Sequence, residues 1–432
     1  MSRRHTTGTK PAHTRTEVLR TLPEGGLVAP MGEAGPTARL DTRPTAGRAG
    51  LGQAGSGLAG SGASHLYVHL PFCAHRCGYC DFVTVTRRDG VVGGEHGAYV
   101  DALLAELELE RPHLAARPRT IFIGGGTPTF TEPAALRRLL AVLPRAEEVT
   151  VEANPETVTA ELAALLREHG VNRVSLGAQS FQPHLLETLE RRATPDTVRA
   201  AVAILRAAGF DNVSLDLIYG IPGQSREDLA RDLAEAVALE PEHLSAYELE
   251  AKPGTRFTHA HGVELERQAE ALEDYFERVV ATLIGAGYRW YETANFCRAD
   301  NTRDLRAHHN LGYWQGRDYL GLGIGAVSTI AGLRWRNAPS LPRYLGPLGR
   351  GERPERELEP LDDATRAEER VLLGLRLDEP LSLAGLDEAL DRAALSHLER
   401  QGLARLLDGG ARLQLTERGR FLGGGVTAEL LA

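Results

Sequence analysis

The chain has 432 residues, 42% of them hydrophobic and 25% charged, a balance that excludes a disordered or fibrous protein and predicts two or three globular domains. Its 49 Lys and Arg against 58 Asp and Glu leave a formal charge of −9, which argues against binding driven by nucleic-acid phosphates. No run approaches the ~18 apolar residues of a membrane span and no short apolar segment follows the N-terminal arginines, so a cytoplasmic location is expected.

Residues 1–64 are rich in Gly, Ala and Arg, lack apolar periodicity, and are expected to be a disordered tail. From His65 the texture changes. The apolar runs at 66–70, 120–123, 149–153, 173–178, 212–218 and 243–249 read as buried strands. Amphipathic stretches at 98–110, 133–143, 159–170, 196–209 and 226–239 alternate with them as helices, and a further helix is expected over 264–286. Such alternation means right-handed βαβ units and a parallel sheet. Six units over 65–290 predict an α/β fold, an incomplete (β/α)6 TIM-type barrel with its chemistry at the C-terminal strand ends. Residues 291–336 extend the barrel, the Pro- and charge-rich stretch 337–363 looks like a linker, and 364–432 reads as a small winged-helix-like α+β domain with a hairpin turning at Asp408-Gly409-Gly410. That last domain shows no basic stripe, so its fold alone does not make it a DNA reader.

Cys73-Ala-His-Arg-Cys77-Gly-Tyr-Cys80 is a C-x3-C-x2-C arrangement directly after the first strand. Three thiolates so close can wrap one metal centre. Structural zinc would need a fourth ligand, for which His69 and His75 are the candidates. A three-cysteine set instead leaves one iron of a [4Fe–4S] cluster open to a cofactor. Cys297 stands apart and reads more readily as a packed residue than as a ligand.

This loop, with LYVHLPFCAHRCGYCDF, IFIGGGTPT, VTVEANPET, RVSLGAQSF and NVSLDLIYGIPG in that order, resembles the radical S-adenosylmethionine (SAM) superfamily, in the branch that contains oxygen-independent coproporphyrinogen III dehydrogenase and the HemW-type haem chaperones. The resemblance runs from about His65 to the C-terminus. It implies a [4Fe–4S] cluster on Cys73, Cys77 and Cys80, with SAM on its open iron. By position it further implies SAM contacts from Tyr67, Tyr79, Gly125, Gly126, Thr127, Glu152, Gln179, Arg191 and Asp216. Glycines after a strand would let backbone approach the ligand closely. No catalytic residue is assigned.

Two departures separate this chain from the dehydrogenase pattern: Phe82 stands where a fourth cysteine would be, and an Arg-Tyr-Thr-Ser-Tyr-Pro segment is absent from residues 1–64. Both favour the haem-chaperone branch, as does His309-Asn310-Leu-Gly-Tyr313-Trp314, which resembles that branch's HNxxYW element. His309 is read either as an axial haem ligand or as a capping or packing histidine. Ala193 counts the other way, standing where the branch usually has a histidine after Gly-Arg-x. The resemblance implies haem as cargo and respiratory-chain haem apo-proteins as recipients, no nucleic acid, and leaves room for peripheral membrane association and a homodimer. The competing reading is oxidative decarboxylation of coproporphyrinogen propionates to vinyls.

Overall fold

The computed structural model describes residues 62–86, 95–252 and 256–431. Its first half alternates strand and helix: β1 (His65–Leu70), α1 (Glu95–Glu110), β2 (Thr120–Gly125), α2 (Pro133–Val142), β3 (Glu148–Ala153), α3 (Ala160–Glu168), β4 (Arg173–Gln179), α4 (Pro183–Thr188), α5 (Pro195–Ala207), β5 (Val213–Tyr219), α6 (Arg226–Ala238) and β6 (His243–Glu248). Each of the six strands pairs in parallel with the next in sequence. The helices between them start where the sequence supplies caps. Thr159, Thr194 and Ser225 accept the backbone N–H groups of Leu162, Thr197 and Asp228, satisfying donors that have no partner inside the helix.

The strands alternate between two different environments. Leu66, Val68, Ile121, Ile123, Val149, Val151, Val174, Leu176, Val213, Leu215 and Leu244 belong to one apolar core under the helices. The residues between them point the other way, and most are polar: His65, Tyr67 and His69, Thr120, Glu148 and Glu152, Arg173 and Ser175, Ser214 and Asp216, His243 and Ser245. A barrel normally fills its centre with branched apolar side chains. A centre lined with hydroxyls, carboxylates and imidazoles is built to hold polar matter.

The helix expected at 264–286 is two, α7 (Arg256–Gln268) and α8 (Leu272–Gly285), separated by one 3-10 turn at Ala269–Ala271. No Pro or capping side chain marks the break, so periodicity alone did not reveal it. The chain then adds β7 (Tyr288–Trp290) and β8 (Asn295–Arg298), crosses the barrel as α9 (His308–Trp314), and returns as β9 (Tyr319–Leu322), β10 (Val327–Ile330) and β11 (Leu333–Asn337). β9 joins β1 in parallel and β8 joins β6 antiparallel, so the sheet grows at both edges to 12 strands instead of closing on itself.

The stretch expected as a linker, 337–363, is part of this fold. It carries α10 (Leu341–Leu348) and β12 (Arg356–Pro360), and β12 pairs with β11 as an edge strand, where proline and charge are tolerated. Long-range anchors hold the segment: the Tyr344 hydroxyl donates to Glu106 at 2.6 Å, and Arg353 and Arg356 donate to Glu110 at 2.7 and 2.9 Å. Of the tail expected over 1–64, residues 1–61 lie outside the described residues, and its last part departs from the expectation: Ala63 is buried and exchanges backbone hydrogen bonds with His113 and Ala115.

The C-terminal unit comprises α11 (Asp363–Gly374), β13 (Leu381–Ser382), α12 (Arg392–Arg400), β14 (Ala404–Leu407), β15 (Arg412–Leu415), α13 (Glu417–Phe421) and α14 (Gly423–Leu430). β13, β15 and β14 form a separate antiparallel sheet over its own leucine core, and the expected hairpin turn joins β14 to β15. Arg289–Asp378, Arg376–Glu292 and Arg420–Trp290 contacts tie the unit to the barrel. Among the described residues no helix is long and apolar enough to cross a membrane.

Candidate functional site

The cysteine loop leaves the C-terminal end of β1 and is closed at its base, where Val85 N–H donates to the Pro71 carbonyl (2.8 Å) and Cys73 N–H to the Val85 carbonyl (3.0 Å). Gly126 and Thr127 donate to the carbonyls of Leu70 and Phe72, both at 2.8 Å, which ties the loop to the end of β2. The glycines there serve protein packing first. A Cβ on Gly126 would lie 2.6 Å from the Pro71 carbonyl, and Gly125, at φ +110°, has the His69 ring 2.5 Å from where a Cβ would be. The backbone that approaches closely is the cysteine loop's own.

The three thiols share a cavity of about 520 Å³ with Tyr79, Gly125, Gly126, Thr127, Glu152, Gln179, Arg191 and Asp216. Eleven of the thirteen residues singled out in the sequence thus meet at one mouth; Tyr67 and His309 do not. Burial pushes the Cys73 thiol up to about 11 and Cys80 up to about 12, so a thiolate in either place needs a cation beside it. Of the two zinc candidates, His69 is fully engaged and His75 sits beside a carboxylate on the cavity wall. His69 donates through Nε2 to the Val83 carbonyl (2.8 Å) and accepts the Tyr67 hydroxyl at Nδ1 (3.0 Å), while His75 lies 3.4 Å from the Glu190 carboxylate. Among the described residues no three His, Cys, Asp or Glu side chains converge on a single-ion site. Three thiols spread around one cavity suit a multi-iron cluster, which takes each thiolate on a different iron. Cys297 packs elsewhere, among Tyr291, Leu311, Trp314 and Leu373, 3% exposed.

Beyond the thiols the wall is acidic. Glu152 accepts the Gly125 N–H at 3.0 Å, and enclosure raises its carboxyl to about 8, with the nearby Asp216 charge acting in the same direction. Asp216 is raised by its own burial, against hydroxyl donation from Ser175 at 3.0 Å. Two buried carboxyls whose pKa values are raised gain from a ligand that carries positive charge, as the amino and sulfonium groups of SAM do. Gln179 is brought to the mouth by a bulge between Gly177 and Gln179, and its backbone is left-handed at φ +64°. The buried Asp232 fixes the turn that follows by accepting from Ser180 Oγ and the Phe181 N–H, both at 2.7 Å.

One residue missed in the sequence ties the site together. Asn154 donates from Nδ2 to Thr127 Oγ1 (2.9 Å) and accepts Arg191 Nη2 at Oδ1 (2.7 Å). Thr127 Oγ1 lies 3.6 Å from Cys73 Sγ, and Arg191 Nη1 donates to Cys77 Sγ at 3.8 Å. A single amide therefore orients the neighbours of two thiols. Asn154 stood inside the quoted VTVEANPET run, but a polar residue after a strand end reads as an ordinary cap.

Tyr67 and His309 lie deeper. The Tyr67 hydroxyl supports His69 beneath the loop and does not line the cavity. His309 is 1% exposed at the opposite end of the barrel: its Nδ1 is 2.8 Å from Thr120 Oγ1, its Nε2 is 2.8 Å from the Tyr313 hydroxyl, and its N–H donates to Glu148 at 3.0 Å. Burial holds its pKa well below 6.5. With both ring nitrogens engaged, His309 packs as part of a floor and presents no nitrogen to an iron.

Comparison with known proteins gives a consistent picture. The profile of the radical SAM superfamily matches residues 67–236, and that of the HemN C-terminal domain matches 361–422. The chain is 39% identical over 376 residues to the haem chaperone HemW of Mycobacterium tuberculosis H37Rv, covering 85% of this chain and 94% of that one. It is 33% identical over 387 residues to HemW of Bacillus subtilis 168, covering 84% and 98%. The solved structure of coproporphyrinogen III oxidase HemN from Escherichia coli superposes with a TM-score of 0.70 at 24% identity, over 85% of this chain and 90% of that one, which establishes a shared fold.

Proposed function

The chain belongs to the HemW family of haem chaperones within the radical SAM superfamily, and on that premise we propose that it carries haem for delivery to haem-lacking proteins of the respiratory chain, working in the cytoplasm. Cys73, Cys77 and Cys80 hold a [4Fe–4S] cluster in this reading, and Gly125, Gly126, Thr127, Glu152, Gln179, Arg191 and Asp216 receive SAM. When bound, the cluster supplies an open iron and an electron. The protein's own residues do the rest: Thr127 and Arg191 orient two of the thiolates, the paired carboxyls meet the positive end of the cofactor, and the floor helix keeps the far end of the barrel shut.

The observation that carries the cofactor part is the convergence of three thiols, Arg191 and two pKa-raised carboxyls on one cavity. Phe82, on the wall of that cavity where a fourth cysteine would stand, supports the carrier over the decarboxylase. Anaerobic purification and cluster reconstitution, followed by parallel assays for haem binding and coproporphyrinogen III decarboxylation, tests it. Haem uptake and transfer to an apo-protein without release of carbon dioxide is the expected result. SAM-dependent decarboxylation well above a cluster-free control would overturn the carrier reading.

A further inference from the structure

A haem carrier needs a seat for the macrocycle, and neither outlying candidate from the sequence provides one: His309 has both ring nitrogens engaged and Cys297 is 3% exposed in an apolar cluster. The cavity has a second wall. The cluster and SAM residues come from the cysteine loop, the ends of β2–β5 and the segment before α5. Facing them are Phe276 of α8, Ala294 of the β7–β8 turn, and Arg376 and Phe421 of the C-terminal unit.

That wall is aromatic and braced from behind. Phe421 meets Phe276 edge-on at 5.4 Å and 74°, and Phe276 lies within 9° of parallel to Tyr219. Trp290 contacts both phenylalanines and is itself covered by the Arg420 guanidinium at 3.6 Å. Phe276 and Phe421 are nonetheless only half-buried. Apolar rings left partly wet inside a cavity gain by being covered with a flat apolar ligand. Charge sits at the edges: Arg376, held through Nε by the buried Glu292 at 2.7 Å, and Lys252 at the rim, paired with Glu250 at 2.9 Å.

We propose that this wall, built jointly by the barrel and the C-terminal unit, seats the haem, with a face of the macrocycle on Phe276 and Phe421 and its carboxylate-bearing edge toward Arg376 and the Lys252 rim. The inference rests on the haem-carrier reading above. It gives the C-terminal unit a role: it is one jaw of a ligand clamp whose other jaw is the barrel.

Haem titration followed by absorbance on the cluster-loaded full chain tests it, with wild type, Phe421→Ala, Ala294→Trp and His309→Gln side by side. Phe421→Ala removes half of the platform. Ala294→Trp fills the space without deleting a contact, which guards against a result due only to loosened packing. Both are expected to weaken haem binding at least tenfold while iron, sulfide and SAM affinity stay at wild-type levels, and His309→Gln is expected to keep wild-type haem affinity. Wild-type uptake matched by both wall variants would overturn the seat and leave the carrier reading standing. No uptake by wild type would bring down the carrier reading, and the seat with it.

Discussion

The mouth and the floor of this barrel are both polar, yet their polar groups are treated in opposite ways. On the floor the imidazoles and the carboxylate have partners of the chain's own making, although Arg173 Nε and Asn310 Oδ1 are left without one: Thr120 Oγ1 sits between His65 Nδ1 and His309 Nδ1, each at 2.8 Å, His243 bridges Ser214 (2.8 Å) and Tyr291 (2.7 Å), and Glu148 takes the first two N–H groups of α9. At the mouth burial raises the Cys73 and Cys80 thiols against only weak contacts from their neighbours, and two carboxyls are held above their ordinary pKa. Buried polarity by itself does not mark a binding site. The distinguishing feature is whether the protein satisfies that polarity itself or leaves it to be satisfied by something else.

The largest expected effect that tests this contrast is on the cluster. Cys80→Ser should abolish iron and sulfide uptake after anaerobic reconstitution, whereas Cys297→Ser should leave both counts intact. Equal loss in the two would make Cys297 a ligand and dissolve the distinction between mouth and floor.

Next comes the pH dependence of stability in cofactor-free protein, which should have opposite signs at the two ends. Glu152 titrates near 8 in the folded chain against an ordinary value of 4.5, so the stability it contributes is present below about 4.5 and is lost as pH rises through 8. The size is about a few kcal/mol by linkage. His65, depressed by burial to about 4, and His309, also depressed by burial, contribute stability that is present above 6.5 and lost as pH falls through their folded values. Urea unfolding at a series of pH values should show Glu152→Gln removing part of the alkaline fall and leaving the acid side unchanged.

His309→Ala should cost about 2–4 kcal/mol of unfolding free energy, since it strands the Tyr313 hydroxyl, removes one of the two partners of Thr120 and opens a void in the floor. A cost under ~0.5 kcal/mol would remove the structural role assigned to it. Asp216→Ala should weaken SAM binding to the cluster-loaded protein by about 1–3 kcal/mol, read by calorimetry, with the cluster retained. The smallest effect is expected at Asn154: its alanine variant should surrender iron to a chelator roughly tenfold faster, as loss of an outer-shell orienting group does.

Much of this was legible in the sequence because it is written in periodicity and spacing. The six strands and the helices between them follow from apolar runs that must be buried, and the cysteine triplet from its spacing. Depth along the barrel was not legible: His309 and Glu152 are both polar residues in strand–helix context, and only the register places one at the first layer and the other at the last. The segment 337–363 reads as a linker because prolines and charges mark an edge strand as readily as a connection, and its anchors are side-chain contacts to Glu106 and Glu110, far away on α1. Asn154 and Asp232 escaped because each acts through partners 27 to 52 positions away.

Hydrogen–deuterium exchange on the cluster-loaded chain, with and without haem, tests the central claim most directly. The account predicts that haem slows exchange around the cysteine loop, residues 246–252, 292–294 and 419–423, and leaves residues 308–314 unchanged. Haem-dependent protection confined to 308–314, with the mouth unaffected, would contradict it.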